Sequence, residues 1–163
     1  MLKNRYKLAA VLAFIILAGD VATKYAVVEN IRLHNGFNVF PGFNIVHVTN
    51  SGAAFGFLAG AAGVWRTWFF IIAAALAIIL IFYLLKNEAS ESRLMAAGLG
   101  LVLGGAVGNL VDRIGDGLVV DFVDLYVGQY HWPAFNVADM GITTGAVLFI
   151  ISFYHRSRRR RKT

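Results

Sequence analysis

Acidic side chains stand beside long apolar runs in the stretch from Gly104 to Asp139. Asp121 lies in a short apolar segment, VVDF, and Asp139 opens the last long apolar run as part of FNVAD. Ionisable groups in or near a bilayer are costly unless they are paired, so by default they mark a functional site. The neighbours of both aspartates are apolar, and we therefore expect the two carboxyls to meet and share a proton.

Two carboxyls that share one proton can activate water. At a separation of about 3 Å they cannot both ionise easily, so one pKa rises and the other falls. The ionised member deprotonates a water molecule, and the protonated member donates a hydrogen bond to a peptide carbonyl. The chain has no cysteine, and its four histidines form no recognisable metal-binding motif. The aspartates therefore favour peptide hydrolysis.

The composition is that of a membrane protein. Of 163 residues, 58% are hydrophobic and 15% are charged, and the mean hydropathy is +0.66. A soluble domain is about half apolar and about a quarter charged. The net charge of +6 could suggest a nucleic-acid partner, but six of the fifteen basic residues follow His155. Such a terminal run typically sets orientation in the membrane, so we expect no nucleic acid.

Four apolar segments are long enough to cross a bilayer as helices. The first begins like a secretory signal peptide, but apolar character resumes after Asp20 and indicates a retained helix. The third carries a row of glycines that predicts close packing within the bundle, with homodimerisation as the alternative: Gly100, Gly104 and Gly108. We predict one membrane domain over residues 1–163, with helices at about 8–28, 66–86, 94–112 and 135–155.

The placement of lysine and arginine predicts the orientation. Eleven of the fifteen basic residues fall on the side of the two termini, including a tail at 156–163, and four fall on the other side. Both termini should therefore be cytoplasmic. Counting about 1.5 Å per residue, Asp20, Asp112 and Asp139 lie roughly 18–27 Å above the inner ends of their helices. In a core about 30 Å thick, that depth is near the outer leaflet.

The two outer connections are predicted to cover this site. Residues 29–64 contain a strand pattern at Asn44–Thr49, a turn signal at Asn50–Gly52 and a candidate return strand at Ala53–Leu58. We predict a small extracytoplasmic antiparallel β-sheet that lies on the membrane, and a loop at 113–134. The phenylalanines of the first connection either touch lipid or form the core of the sheet: Phe37, Phe40, Phe43, Phe55 and Phe57.

Several other polar residues have structural interpretations. Asp20 and Lys24 are spaced i, i+4 on the first helix and are expected to form a structural ion pair. Asp112 and Arg113 could form another ion pair near the membrane interface. Asp124 is interpreted as a loop acid that faces water.

From end to end, the chain resembles the lipoprotein signal peptidases (signal peptidase II) of bacteria. The matching pieces are GDVATK, VTNSGAAFGF, GGAVGNLVDRIGDGLVVDFVD and FNVADMGI. In that family the acids of the VVDF and FNxAD segments form the catalytic pair, which implies Asp121 and Asp139. Val21 stands where the first-helix motif of the family usually has glutamine. The resemblance implies that five further residues line or brace the site: Asp20, Asn50, Asn109, Arg113 and Asn136.

The resemblance also implies the reaction. It is that of an intramembrane aspartic endopeptidase of the bacterial inner membrane, which cuts prolipoproteins before a diacylglyceryl-modified cysteine. It implies no metal or organic cofactor, and we expect a monomer whose partners are the lipidated prolipoprotein and membrane lipid. One alternative is a proton-coupled transporter or channel that relays protons through Asp20, Asp112 and Asp139. Another is an intramembrane aspartic protease with a different class of substrate.

Overall fold

A computed structural model describes residues 2–52, 64–87 and 92–160. These ranges contain four helices: α1 (Leu2–Asn30), α2 (Val64–Asn87), α3 (Arg93–Gly115) and α4 (Val137–Arg160). Each is long and apolar enough to cross a membrane, which confirms the predicted four-helix architecture. The last helix begins at Val137 rather than at 135, because Asn136 caps its first turn.

Helix α3 is the central and most buried of the four spans. Its glycines let the neighbouring backbones approach closely. A methyl group at Gly104 would meet the carbonyl oxygen of Ala13 on α1 at 2.5 Å, and one at Gly98 would meet the carbonyl oxygen of Gly145 on α4 at 2.7 Å. Gly100 likewise faces Ala9. The glycine row therefore packs within the bundle, as predicted, and is not available to a second copy.

Helices α1, α2 and α4 all pack against α3, but α2 and α4 make little contact with each other. Both helices are apolar, and much of the surface of α2 remains exposed. Phe70 on α2 and Met140, Thr143 and Thr144 on α4 line one open cavity beside the central helix, which forms a lateral gap between α2 and α4.

Four strands form a small antiparallel sheet in the order β1-β2-β3-β4. The strands are β1 (Gly36–Phe40), β2 (Phe43–Asn50), β3 (Val119–Val127) and β4 (Tyr130–His131). Strand β2 confirms the strand pattern that the sequence shows between Asn44 and Thr49. The candidate return strand at Ala53–Leu58 lies outside the described residues.

The segment at 113–134, which we expected to be a loop, contains the rest of the sheet. Its alternating apolar residues pair with β2 and form β3, so that Asp121 lies in a strand. The interpretation of Asp124 as an acid that faces water was also wrong, since it is only 8% exposed. Its carboxylate accepts hydrogen bonds from Asn44 Nδ2 at 2.7 Å and is 2.8 Å from His131 Nδ1. These partners on β2 and β4 compensate for its burial.

Strand β1 is exposed along its whole length. Phe37 and Phe40 each keep 57% of their surface accessible, although Phe40 also packs against Phe43 with 5.2 Å between the ring centroids. These two phenylalanines therefore do not form the core of the sheet. Their exposure favours the alternative in which they contact lipid.

Candidate active site

Strand β3 holds Asp121 at the junction between the sheet and the helices. Asp121 is 2% exposed. The pairing of β2 with β3 shifts register between Ile45 and Val48 and resumes with Val48 opposite Asp121. Such irregularities commonly redirect side chains next to active sites. Asn50, on the adjacent strand β2, lines the same cavity as Asp121, and its side chain lowers the pKa of the Asp121 carboxyl.

Asn50 is itself held by the turn that ends β2. Its Oδ1 accepts the backbone N–H of Gly52 at 2.7 Å, and Gly52 has a φ of +87°, which a side chain would strain. This bond leaves the Asn50 amide nitrogen as the donor to Asp121. The predicted turn signal is therefore also what orients this side chain.

Helix α4 carries Asp139 in its first turn, and Asn136 joins that turn to β3. The Asn136 Oδ1 accepts the backbone N–H of Asp139 at 2.9 Å, which is the hydrogen bond of a helix N-cap. The Asn136 Nδ2 donates to Asp121 Oδ1 at 2.7 Å. Asn136 is fully buried. One asparagine therefore connects the acid on the strand to the acid on the helix.

Asn109 on α3 supplies the hydrogen bond to the second carboxyl. Its Nδ2 donates to Asp139 Oδ1 at 2.7 Å. Its Oδ1 accepts from Asn136 Nδ2 at 3.2 Å and from Lys24 Nζ at 3.1 Å. An ammonium group only donates hydrogen bonds, so the oxygen of Asn109 must face Lys24 and the nitrogen must face Asp139.

Lys24 lies behind the site, 4% exposed, between two carboxylates. Its Nζ is 2.7 Å from Asp20 Oδ2, which confirms the predicted ion pair, and 2.8 Å from Asp112 Oδ2. Asp112 therefore pairs with Lys24, and the suggested pair between Asp112 and Arg113 is wrong. Successive residues on a helix do not face each other, which explains the difference.

The two partners of Lys24 also hold the elements that carry Asp121 and Asp139. Asp20 Oδ1 accepts the backbone N–H of Ala138 at 2.8 Å, in the first turn of α4. Asp112 Oδ2 accepts the backbone N–H of Val120 at 3.2 Å, next to Asp121 on β3. The buried cluster thus fixes the strand and the helix from one side.

Asp121 and Asp139 line one open cavity of about 1010 Å³. Its walls are formed by residues 48–52 of β2 and the following turn, by residues 132–135, and by the faces of α2, α3 and α4 that border the lateral gap. Arg113 lies on the α3 wall, where it donates to the carbonyl oxygen of Asn109 at 3.0 Å and stacks 5.2 Å from the ring centroid of Phe70. Ligand pockets are commonly about 300–1,000 Å³, so an extended chain has room here.

The electrostatics of Asp121 suit a shared proton. Burial raises the pKa of Asp121 to about 6, and the charge of Asp139 acts in the same direction. Hydrogen bonds from Asn50 and Asn136 oppose the rise because they stabilise the ionised form. Within the described residues, no group of three or more His, Asp or Glu is arranged to hold a metal ion.

The structure brings all seven residues proposed from the sequence to this junction. Asp121, Asp139, Asn109 and Asn136 form one hydrogen-bonded network, Asn50 and Arg113 line the cavity with the acids, and Asp20 lies behind them. The contacts of Lys24 with Asp112 and Asn109 were not predicted from the sequence. A signal was available, because a lysine within the outer part of an apolar span needs several partners.

The match to a known family extends over most of the chain. The family described as signal peptidase (SPase) II matches residues 12–155. The lipoprotein signal peptidase of Maridesulfovibrio salexigens is 47% identical over 152 residues, which are 93% of this chain and 97% of that protein. The lipoprotein signal peptidase of Syntrophus aciditrophicus is 44% identical over 162 residues, with 96% and 98% of the two chains covered.

Two solved structures, each described as a bacterial membrane enzyme, share the fold. One has a TM-score of 0.83 at 31% identity and covers 95% of this chain and 92% of its own. The other has a TM-score of 0.79 at 33% identity and covers 89% of this chain and 91% of its own. Together with the match over residues 12–155, these likenesses show that the chain belongs to the signal peptidase II family of peptidases.

Proposed function

We propose that this protein is an intramembrane aspartic endopeptidase that removes signal peptides from diacylglyceryl-modified prolipoproteins, cutting before the lipidated cysteine. Similar proteins are named lipoprotein signal peptidases, which supports the class of substrate. One observation carries the aspartic mechanism. Asp121 and Asp139 line the same cavity, and Asn136 bonds to the carboxyl of the first and to the backbone of the second.

The two acids take different parts in the reaction. We assign the shared proton to Asp121, whose carboxyl is buried and has a raised pKa, and the part of the base to Asp139. Asp139 removes a proton from a water molecule, whose oxygen attacks the carbon of the scissile peptide bond. Asp121 gives its proton to the carbonyl oxygen, so that a neutral tetrahedral intermediate forms. The proton held by Asp139 then passes to the leaving nitrogen as the C–N bond breaks, and Asp121 recovers its proton.

Neighbouring side chains fix the geometry of these steps. Asn109 holds Oδ1 of Asp139 at 2.7 Å, so the other oxygen of Asp139 remains for water. Arg113 lies on the same cavity wall with its guanidinium stacked on Phe70. There it can donate hydrogen bonds to carbonyl groups of the bound peptide.

The lateral gap supports a substrate that arrives within the bilayer. Met140, Thr143 and Thr144 extend the cavity wall down α4 on the side that faces the gap. An apolar signal segment can enter there sideways, with its lipidated cysteine near the outer leaflet. In this proposal both termini are cytoplasmic, the enzyme is a monomer of the bacterial inner membrane, and exposed Phe37 and Phe40 contact lipid.

The transporter alternative has less support. A proton relay needs acids that can exchange protons along a path. Asp20 and Asp112 are instead both ion-paired to Lys24, at 2.7 and 2.8 Å. This closed cluster favours a structural part for the two acids.

The test is incubation of the purified protein with a lipidated prolipoprotein and mass spectrometry of the products. Asp121→Asn and Asp139→Asn should each abolish most cleavage, and the double variant should be little worse, because the two acids act as a unit. Asp116→Asn is the control, since this exposed acid ends α3 and should keep its activity. A folded Asp121→Asn protein that cuts at the normal rate would exclude the mechanism. Proton flux in liposomes without any cleavage would favour a transporter.

A further inference from the structure

Lys24 is a buried cation that the proposed mechanism leaves without a part. Its Nζ contacts three oxygens: Asp20 Oδ2 at 2.7 Å, Asp112 Oδ2 at 2.8 Å and Asn109 Oδ1 at 3.1 Å. The contact with Asn109 has the geometry of a hydrogen bond, whereas Asp20 Oδ2 pairs with the ammonium by charge and accepts no hydrogen bond among the described residues. Two of the partners are ionic, and the third is the amide that contacts Asp139.

Stability alone explains this cluster poorly. The free energy needed to remove two charges from water is about as large as the free energy gained from their attraction. Buried ion pairs can therefore often be replaced by apolar residues without loss of stability. The ion pairs between Lys24 and the two carboxylates therefore do not show that Lys24 serves only to stabilise the fold. The third contact, to Asn109, sets Lys24 apart from an ordinary ion pair.

That contact acts together with those of Asn136 and Asp139 to set which way the Asn109 amide points. If the amide were reversed, its NH₂ group would face the ammonium of Lys24 and also the NH₂ of Asn136. Its oxygen would then face the Asp139 carboxylate at the present donor distance of 2.7 Å. Each of these contacts would be repulsive, so Lys24 keeps the donor of Asn109 on Asp139.

We propose that Lys24 is a positioning residue for the reaction, which acts through Asn109 to hold a hydrogen-bond donor on Oδ1 of Asp139. The donor keeps Oδ1 occupied, so that the opposite oxygen of Asp139 meets the attacking water. Lys24 itself touches neither water nor substrate. This inference rests on the proposed function, because it takes Asp139 as the base.

The first test is a double-mutant cycle on cleavage of a lipidated prolipoprotein. Lys24→Met keeps an unbranched apolar stem but removes the donor, and it should lower kcat on the order of 10²-fold, the usual cost of a misplaced reacting group. KM should change less than about threefold, because Lys24 makes no contact with the cavity lining. Asn109→Ala should be similarly slow, and the double variant Lys24→Met/Asn109→Ala should be no slower than Asn109→Ala alone. Effects that multiply would overturn the proposal.

The second test separates positioning from folding. Lys24→Met leaves Asp20 and Asp112 without their cation and is expected to be unstable. The variant Lys24→Met/Asp112→Asn keeps the net charge of the cluster, and the new amide oxygen can still accept the N–H of Val120. Compared with Asp112→Asn alone, it should melt at a lower temperature, because buried Asp20 has lost its cation. When both variants are assayed well below their melting temperatures, it should still show the same large loss of kcat. A folded double variant that cleaves as fast as Asp112→Asn would overturn the proposal.

The same assay distinguishes this inference from the proposed function. If the wild-type protein does not cleave, the proposed function fails and the part assigned to Lys24 fails with it. If the wild type cleaves and Asp139→Asn does not, but the Lys24 variants keep the wild-type kcat, only the inference about Lys24 fails.

Discussion

The Asp121→Asn change is expected to stabilise the folded protein near neutral pH while it abolishes cleavage. Burial, with a contribution from the charge of Asp139, raises the pKa of Asp121 from 3.8 to about 6. An acid with a raised pKa in the folded state stabilises the fold fully below its unfolded pKa and loses that contribution as the pH rises through the folded value. The shift of about 2 pKa units corresponds to roughly 3 kcal/mol, which is the most that a neutral side chain can recover.

Asparagine suits the position because its Oδ1 can still accept the hydrogen bond from Asn136 that Asp121 now accepts at 2.7 Å. Thermal unfolding of both proteins in detergent from pH 4 to pH 8 measures the effect. The two melting temperatures should be close near pH 4 and separate as the pH rises. For a chain of this size, 3 kcal/mol corresponds to roughly 6–12 °C, so the gain in melting temperature should be up to that amount.

The exposed acid at the end of α3 supplies the control. Asp116→Asn should shift the melting temperature little, because that side chain is exposed. If Asp121→Asn changed the stability by the same amount at pH 4 and pH 8, Asp121 would not be a desolvated acid. The assignment of the shared proton to Asp121 would then be wrong.

Three further experiments test separate parts of the structure. Asn50→Ala removes a side chain that lowers the pKa of Asp121, so that pKa should rise further. The alkaline limb of the pH–rate profile should then move to higher pH. An alkaline limb at the same pH as in the wild type would contradict the interaction between Asn50 and Asp121. Gly108→Ala would place a methyl group 2.6 Å from Asp20 Oδ2 and should cost about 1–3 kcal/mol of stability and slow cleavage. At Gly115 an added methyl group would meet no atom of the described residues within 4 Å beyond its own turn of helix, so Gly115→Ala should melt like the wild type. Equal melting temperatures for the two glycine variants would show that Gly108 is not tightly packed. A reporter fused after the last residue and one inserted in the turn between β3 and β4 should lie on opposite sides of the membrane. If both lay on the same side, the predicted position of Asp20, Asp112 and Asp139 near the outer leaflet would be wrong.

The helices and the principal acids could be predicted because local sequence determines them. Hydropathy over about 20 residues is sufficient to identify a membrane span. The apolar neighbours of Asp139 showed that its partner had to come from another element. Asn136 and Asp139 are three residues apart, a spacing that fits one helical turn, but the capping hydrogen bond between them cannot be read from that spacing alone.

The remaining features depend on contacts between distant parts of the chain. Strand β3 forms because it pairs with β2, which lies about seventy positions earlier in the chain. The aspartates of this segment favoured the interpretation as a loop. Asp124 is buried because Asn44 and His131 on the neighbouring strands compensate its charge. Asp112 and Lys24 meet only after α1 and α3 pack together. None of these pairings leaves a periodic pattern in the sequence.

The order in which the buried charges enter the membrane has a consequence for biogenesis. When α1 is synthesised, Asp112 does not yet exist, so Lys24 must be neutralised by Asp20 one turn away, to which it is bound at 2.7 Å. The two charges in the middle of the first helix, on Asp20 and Lys24, can therefore cancel each other as the helix inserts. The N–H of Ala138, which Asp20 also binds, arrives with the last helix. A nascent chain that is still being translated should thus be catalytically silent, and proteolytic activity should begin only when α4 has been inserted.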